Sequence, residues 1–184
     1  MRWITVPLAA LALLVGASPP PAAAGLAFTG IGGHLDYVDC ENMDAVLGFG
    51  GLVDLGMITP VIGLEGNVDY WSKSYDIGLA SASLRLISIG ATGKYYFAAK
   101  GVSLRPFAGA GLALHLAKAS SDVSYLGYSQ SVSASESKIG IDLCGGTLYG
   151  LNDKLDLLGE LRYRLVSDTN QMVLRGGIIY RMGQ

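Results

Sequence analysis

The sequence predicts an all-β fold, an eight-stranded antiparallel up-and-down transmembrane β-barrel, on three observations. Apolar and polar residues alternate in steps of two through most of the chain after residue 24, and side chains of a strand alternate faces. Most of the alternating segments have 11–14 residues. That exceeds the usual length of about 5–6 in soluble sheets and suits a tilted strand crossing a bilayer, which needs about 9–11. Charged side chains gather on one of the two faces, and the other face carries almost none. Composition agrees. Of 184 residues, 51% are hydrophobic and 15% charged, with a net charge of −2, which excludes a disordered chain and gives no basis for nucleic-acid binding. Two cysteines cannot form a disulfide-dense scaffold or a Cys-rich zinc site.

Residues 1–24 read as a cleaved signal peptide. Arg2 gives a positive start, an apolar run extends from Ile4 to Ala17, and Pro19-Pro20-Pro21-Ala22-Ala23-Ala24 ends in an Ala-x-Ala cleavage pattern. The barrel domain is expected to occupy 25–184.

Eight segments follow in order. The first, 27–38, puts Gly30, Gly32, His34 and Asp36 on one face, and the second, 45–56, puts Gly48, Gly50 and Asp54 there. In the third, 61–72, Glu65, Asn67 and Asp69 oppose Leu64, Val68 and Tyr70. The fourth, 80–97, turns Lys94 inward and is too long for the bilayer alone, so it is expected to project beyond it. The fifth, 104–117, contributes Arg105, Gly109, Gly111 and His115, and the sixth, 137–150, contributes Gly140, Asp142, Cys144 and Gly146. In the seventh, 155–166, Leu157, Leu161, Tyr163 and Leu165 oppose Leu158, Glu160, Arg162 and Arg164. In the eighth, 172–182, Leu174, Ile178 and Tyr180 oppose Val173, Arg175, Ile179 and Arg181.

The connections 57–60, 98–103 and 151–154 are short, whereas 118–136 is long, polar and rich in serine. Transmembrane barrels have short periplasmic turns and longer outer loops, so 118–136 is placed outside. Two aromatic girdles are expected at the membrane–water interfaces, Phe97, Tyr149 and Tyr180 below and Tyr37, Tyr70 and Trp71 above.

The charged face is read as the lumen. A charge in a dry core costs several kcal/mol unless paired, and Arg or Lys on the lipid face at the midplane costs about 2–4 kcal/mol. A polar, partly hydrated lumen avoids both. The expected network is Asp36, Glu65, Asp69, Lys94, Arg105, Asp142, Glu160, Arg162, Arg164 and Arg175, with His34, His115, Asp54 and Arg181 on the same face. Arg85 is the main charge on the outward face. An eight-stranded barrel has room only for its interior side chains, so the inward glycines serve packing. Gly30-Ile31-Gly32-Gly33 lacks dinucleotide spacing, and no phosphate loop is present.

The leader, the eight alternating strands, the unequal connections and the run Arg105-Pro106-Phe107-Ala108-Gly109-Ala110-Gly111-Leu112 together resemble the small outer-membrane β-barrel proteins of Gram-negative bacteria. That group includes OmpX, the OmpA transmembrane domain and the opacity-type surface proteins. The resemblance covers 25–184. It implies an outer-membrane location, contact with outer-membrane lipid and lipopolysaccharide, and passage through the barrel-assembly machinery. One departure is the C-terminus: the group usually ends in an aromatic residue, whereas Tyr180-Arg181-Met182 is followed here by Gly183-Gln184.

No catalytic, cofactor or metal residues are expected. The two histidines lack a tight ligand motif, and His115-Leu116-Ala117-Lys118 does not resemble the serine-adjacent motif of deacylating barrels. Cys40 and Cys144 are expected to be unpaired thiols. The functional expectation is an envelope-structural or surface-interaction protein without enzymatic activity, acting through its outer loops. Tyr125 and Tyr128 among the serines of 118–136 are the candidate contacts, against an unknown extracellular partner, with a solvated or extended hairpin as the simpler reading of that stretch. The alternatives are a small diffusion channel or hydrophobic small-molecule carrier and, less favoured, a soluble lipocalin-like protein in which every face is reversed.

Overall fold

The computed structural model describes residues 27–41, 43–77, 80–97, 103–125, 128–167 and 169–182. The expected leader, 1–24, lies outside them. Eight strands follow in chain order: β1 (Gly30–Cys40), β2 (Met43–Thr59), β3 (Ile62–Ile77), β4 (Ala80–Tyr96), β5 (Leu104–Tyr125), β6 (Tyr128–Gly150), β7 (Leu155–Val166) and β8 (Gln171–Arg181). Each pairs antiparallel with its neighbours, and the sheet closes into a barrel. The closing pair runs from Gly30↔Arg181 to Cys40↔Gln171, so β1 and β8 leave no free edge. Among the described residues no helix is long and apolar enough to cross a membrane; the strands make the crossing.

Side chains close the tight turns at the lower end. Thr59 Oγ1 accepts from the Ile62 amide at 3.0 Å, and Asn152 Oδ1 accepts from the amides of Lys154 and Leu155 at 2.8 and 2.9 Å. A bulge between Asp54 and Met57 is turned at Gly56, whose φ of 83° suits glycine. Asp54 Oδ1 accepts the Gly56 amide at 2.9 Å.

Three expectations need correction. The stretch 118–136 is not a loop: β5 and β6 stay in register from Lys118↔Ser135 to Tyr125↔Tyr128. Alternating serine and small residues satisfy a ladder whose two faces both meet water, and such a strand carries no apolar signature. The β3–β4 hairpin likewise pairs out to Ile77↔Ala80, which extends the third segment beyond residue 72. Trp71 is not a girdle residue. It stands two positions from Asp69 on the same face and is 3% exposed inside the barrel. Phe97, Tyr149, Tyr180 and Tyr37 do face outward.

The outward face is an apolar belt that includes Leu35, Leu47, Phe49, Leu112, Ile139 and Leu174, all exposed. In a soluble protein so wide an apolar surface would drive association; around a barrel it is the surface that lipid covers.

Candidate functional site: a sealed lumen and its outer rim

The lumen holds a charged layer between two apolar layers. β1, β3, β4, β6, β7 and β8 supply the charged layer through inward positions fixed by strand parity. Arg175 binds Asp36 bidentately, Nε to Oδ1 at 2.9 Å and Nη2 to Oδ2 at 3.0 Å, and its Nη2 also reaches Asp69 Oδ1 at 2.8 Å. Arg164 donates to Asp69 and lies 3.6 Å from Asp142. Arg162 donates from Nε to Glu160 at 2.8 Å and from Nη1 to Asp142 at 3.1 Å and Asn67 at 3.2 Å. Lys94 Nζ reaches Glu65 at 2.6 Å and Glu160 at 2.9 Å. His34 lies between Asp36 and Asp69, at 3.0 and 3.2 Å. Arg162, Arg164 and Arg175 are at most 1% exposed. Charges so deep are tolerated because each is paired and hydrogen-bonded.

Nine of the ten residues expected in the network thus meet in one layer. The tenth, Arg105, is inward by register but sits at the lower mouth, half-exposed. There it and Arg181 grip Asp156 at 2.6 and 2.8 Å.

The expectation of a polar lumen does not include the apolar layers that lie above and below the charged one. Leu52, Phe107, Cys144, Leu148, Leu158 and Ile179 form a lower apolar layer. Val38, Cys40, Trp71, Leu86 and Val173 form an upper one. Both cysteines are free thiols within these layers. The apolar layers were visible in the sequence as inward Leu158, Val173 and Ile179; the charges beside them concealed that these residues stack. The glycines fit the tight space. A Cβ on Gly50 would stand 2.4 Å from the Val68 carbonyl and 2.5 Å from His34, and one on Gly146 would stand 2.3 Å from the Gly159 carbonyl.

His34, Asp36 and Asp69 present potential metal-ligand atoms within 4.8 Å of one another. Arg175 and Arg164 already engage both carboxylates, so guanidinium charge stands where a cation would bind. His115 Nδ1 and Ser88 Oγ lie 2.8 Å apart, a contact that sequence reading missed because the two residues are 27 positions apart. Ser88 is 1% exposed.

At the outer rim, Arg85 of β4 and Lys118 of β5 are exposed and directly paired across the strands, with Ser72 and Ser135 flanking them in the same outward row. Among the described residues neither cation has a carboxylate partner. Sequence reading found Arg85 and lost Lys118 to the supposed loop. Tyr125 and Tyr128 are backbone partners at the last rung of the hairpin, and their side chains lie outside the described ones.

A sequence model of the outer membrane protein beta-barrel domain matches residues 8–181. The chain belongs to that family. As an outer-membrane barrel it resides in the outer membrane of a Gram-negative-type bacterium, in an environment of lipid and lipopolysaccharide. Several solved barrels share its fold. Neisserial surface protein A has 19% identity and a TM-score of 0.61, covering 86% of this chain and 99% of its own. OprG from Pseudomonas aeruginosa has 14% identity and a TM-score of 0.61, covering 88% and 99%. Ail, the attachment invasion locus protein of Yersinia pestis, has 15% identity and a TM-score of 0.57, covering 84% and 97%. Comparison with curated proteins gave no match.

Proposed function

We propose that this outer-membrane barrel acts at the cell surface, without enzymatic activity and without conducting solutes. The observation that carries this reading is the paired β5–β6 hairpin, rising above a lumen filled by two apolar layers and an ion-paired charged layer. From Lys118 to Tyr125 the hairpin extends about 25 Å along the strand. A ladder of this length presents backbone groups and the exposed side chains of Val132, Ser133 and Ser135 to an extracellular partner.

The Arg85–Lys118 row supports contact with lipopolysaccharide phosphates. It lies two rungs above outward Ile87 and Leu116, at the top of the apolar belt. Like charges in register repel, and an anionic headgroup at that height removes the repulsion. The leader, 1–24, directs export, and β8 is the strand offered to the barrel-assembly machinery.

Planar-bilayer recording of the reconstituted protein tests the sealed lumen. Silence is expected from the wild type. Stepwise conductance that changes with Glu65→Gln or Arg162→Met would replace this reading with the diffusion-channel one. A deletion of 121–132 completes the test. It is expected to keep the mobility shift on boiling while removing the hairpin from surface labelling of intact cells.

A further inference from the structure

Above the upper apolar layer the lumen opens outward into a cup of about 290 Å³. Its wall is apolar, built from Met43, Trp71, Leu84, Leu86 and Val166. Its floor is closed, because Val38 and Val173 are fully buried beneath it. A molecule entering from outside can therefore bind there but cannot pass through.

Three polar side chains that line the cup each hold a buried atom with no hydrogen-bond partner among the described residues. They are Trp71 Nε1, His115 Nε2 and Gln171 Oε1, on residues 3–5% exposed. The remaining orphaned atoms of the upper lumen belong to the ion-paired layer, where opposite charges surround them. Trp71 Nε1 and Gln171 Oε1 have no hydrogen-bond partner of either charge, whereas His115 stands near the Arg164, Asp142 and Asp69 charges. The indole N–H can only donate and the amide oxygen can only accept, so a ligand serving both must supply an acceptor and a donor. A hydroxyl does both. The charged residues of the lining are Glu41, Glu136 and Lys138, of which Glu41 and Glu136 are exposed and Glu136 and Lys138 are paired at 3.2 Å, so the apolar depth of the cup offers no countercharge. A charged ligand would lose its hydration without compensation. An aromatic body suits the Trp71 ring and the Met43 thioether. An apolar cavity with a few convergent polar groups is the usual form of a small-molecule site.

We infer that the cup is a binding site for a small neutral phenol, its ring against Trp71, Leu84 and Leu86 and its hydroxyl shared between Trp71 Nε1–H and Gln171 Oε1. The site is independent of the hairpin's surface role.

The sequence contains two tryptophans, Trp3 in the leader and Trp71, so the protein freed of residues 1–24 reports from the cup alone. The probe is 4-bromophenol, a heavy-atom quencher, added to this protein in lipid vesicles. Saturable quenching of Trp71 is expected, reversed by unbrominated phenol. Ala117→Phe, which fills the cup from β5, is expected to abolish the saturable component while keeping the mobility shift on boiling. Gln171→Leu is expected to raise Kd about tenfold, the effect of losing one hydrogen bond. Quenching that rises linearly and is not relieved by phenol would overturn the inference. That competition needs no variant, so it decides the matter even if Ala117→Phe fails to fold.

Discussion

Arg162→Met is the sharpest perturbation of the charged layer. It removes three charge-assisted hydrogen bonds, to Glu160, Asp142 and Asn67, from a position with no solvent contact. Taken separately, three hydrogen bonds to charged groups at about 1.5–3 kcal/mol each would sum to about 4.5–9 kcal/mol. The carboxylates left behind are not abandoned. Lys94 holds Glu160 at 2.9 Å, Arg175 lies 3.8 Å from it, and Arg164 stays 3.6 Å from Asp142. Partial compensation brings the expected loss to about 3–5 kcal/mol, the range for breaking a buried pair from one side. The assay is urea unfolding in lipid vesicles, followed by Trp71 fluorescence and by gel mobility without boiling. Pairing the variant with Glu160→Gln should recover about 1–3 kcal/mol of the loss, since the two side chains share a bond. A single variant within about 0.5 kcal/mol of wild type, or strictly additive losses in the pair, would refute the claim that these charges are mutually compensated.

Two further outcomes follow from packing and charge. Gly50→Ala is expected to cost about 1–3 kcal/mol in the same unfolding assay, because its Cβ meets the Val68 carbonyl and His34. Gly159→Ala has nothing within 4 Å of its Cβ and should leave the midpoint unchanged or raise it; equal effects at the two sites would contradict the packing. Lipopolysaccharide in the vesicles should raise the thermal midpoint of the wild type more than that of the Arg85→Ser/Lys118→Ser double variant. An equal rise in both would remove the rim cations from headgroup contact.

The barrel was legible because a two-sided strand writes its faces into alternate residues. β7 shows this best: lipid selects Leu157, Leu161 and Tyr163 on one side, and the lumen selects Glu160, Arg162 and Arg164 on the other. That signal fails where both faces meet the same solvent. Beyond Lys118 alternation gives no two-sided pattern, so the sequence supported the extended hairpin only as the simpler reading of a serine-rich stretch, without its register. Parity also assigns a face without assigning a height. Leu158 and Glu160 were both seen to point inward, but their membership of different layers depends on the register across all eight strands. Trp71 shows a related failure. Chemical type suggested a girdle, and parity with Asp69 placed it inside. The Arg85–Lys118 neighbourship required the β4–β5 register, which separates the two by 33 positions of sequence.

The origin of the charges along the chain bears on how the barrel closes. Within the buried layer, β1–β4 bring three carboxylates, Asp36, Glu65 and Asp69, against one cation, Lys94. β5–β8 bring three arginines, Arg162, Arg164 and Arg175, against two carboxylates, Asp142 and Glu160. The two halves of the nascent sheet therefore carry opposite charge on their concave sides. Neither half can neutralise itself, and the attraction grows as hydrocarbon replaces water around them. Closure in the correct register brings the four cations against the five carboxylates. A partly assembled sheet is held open to its missing half and disfavoured from pairing with a second copy of itself.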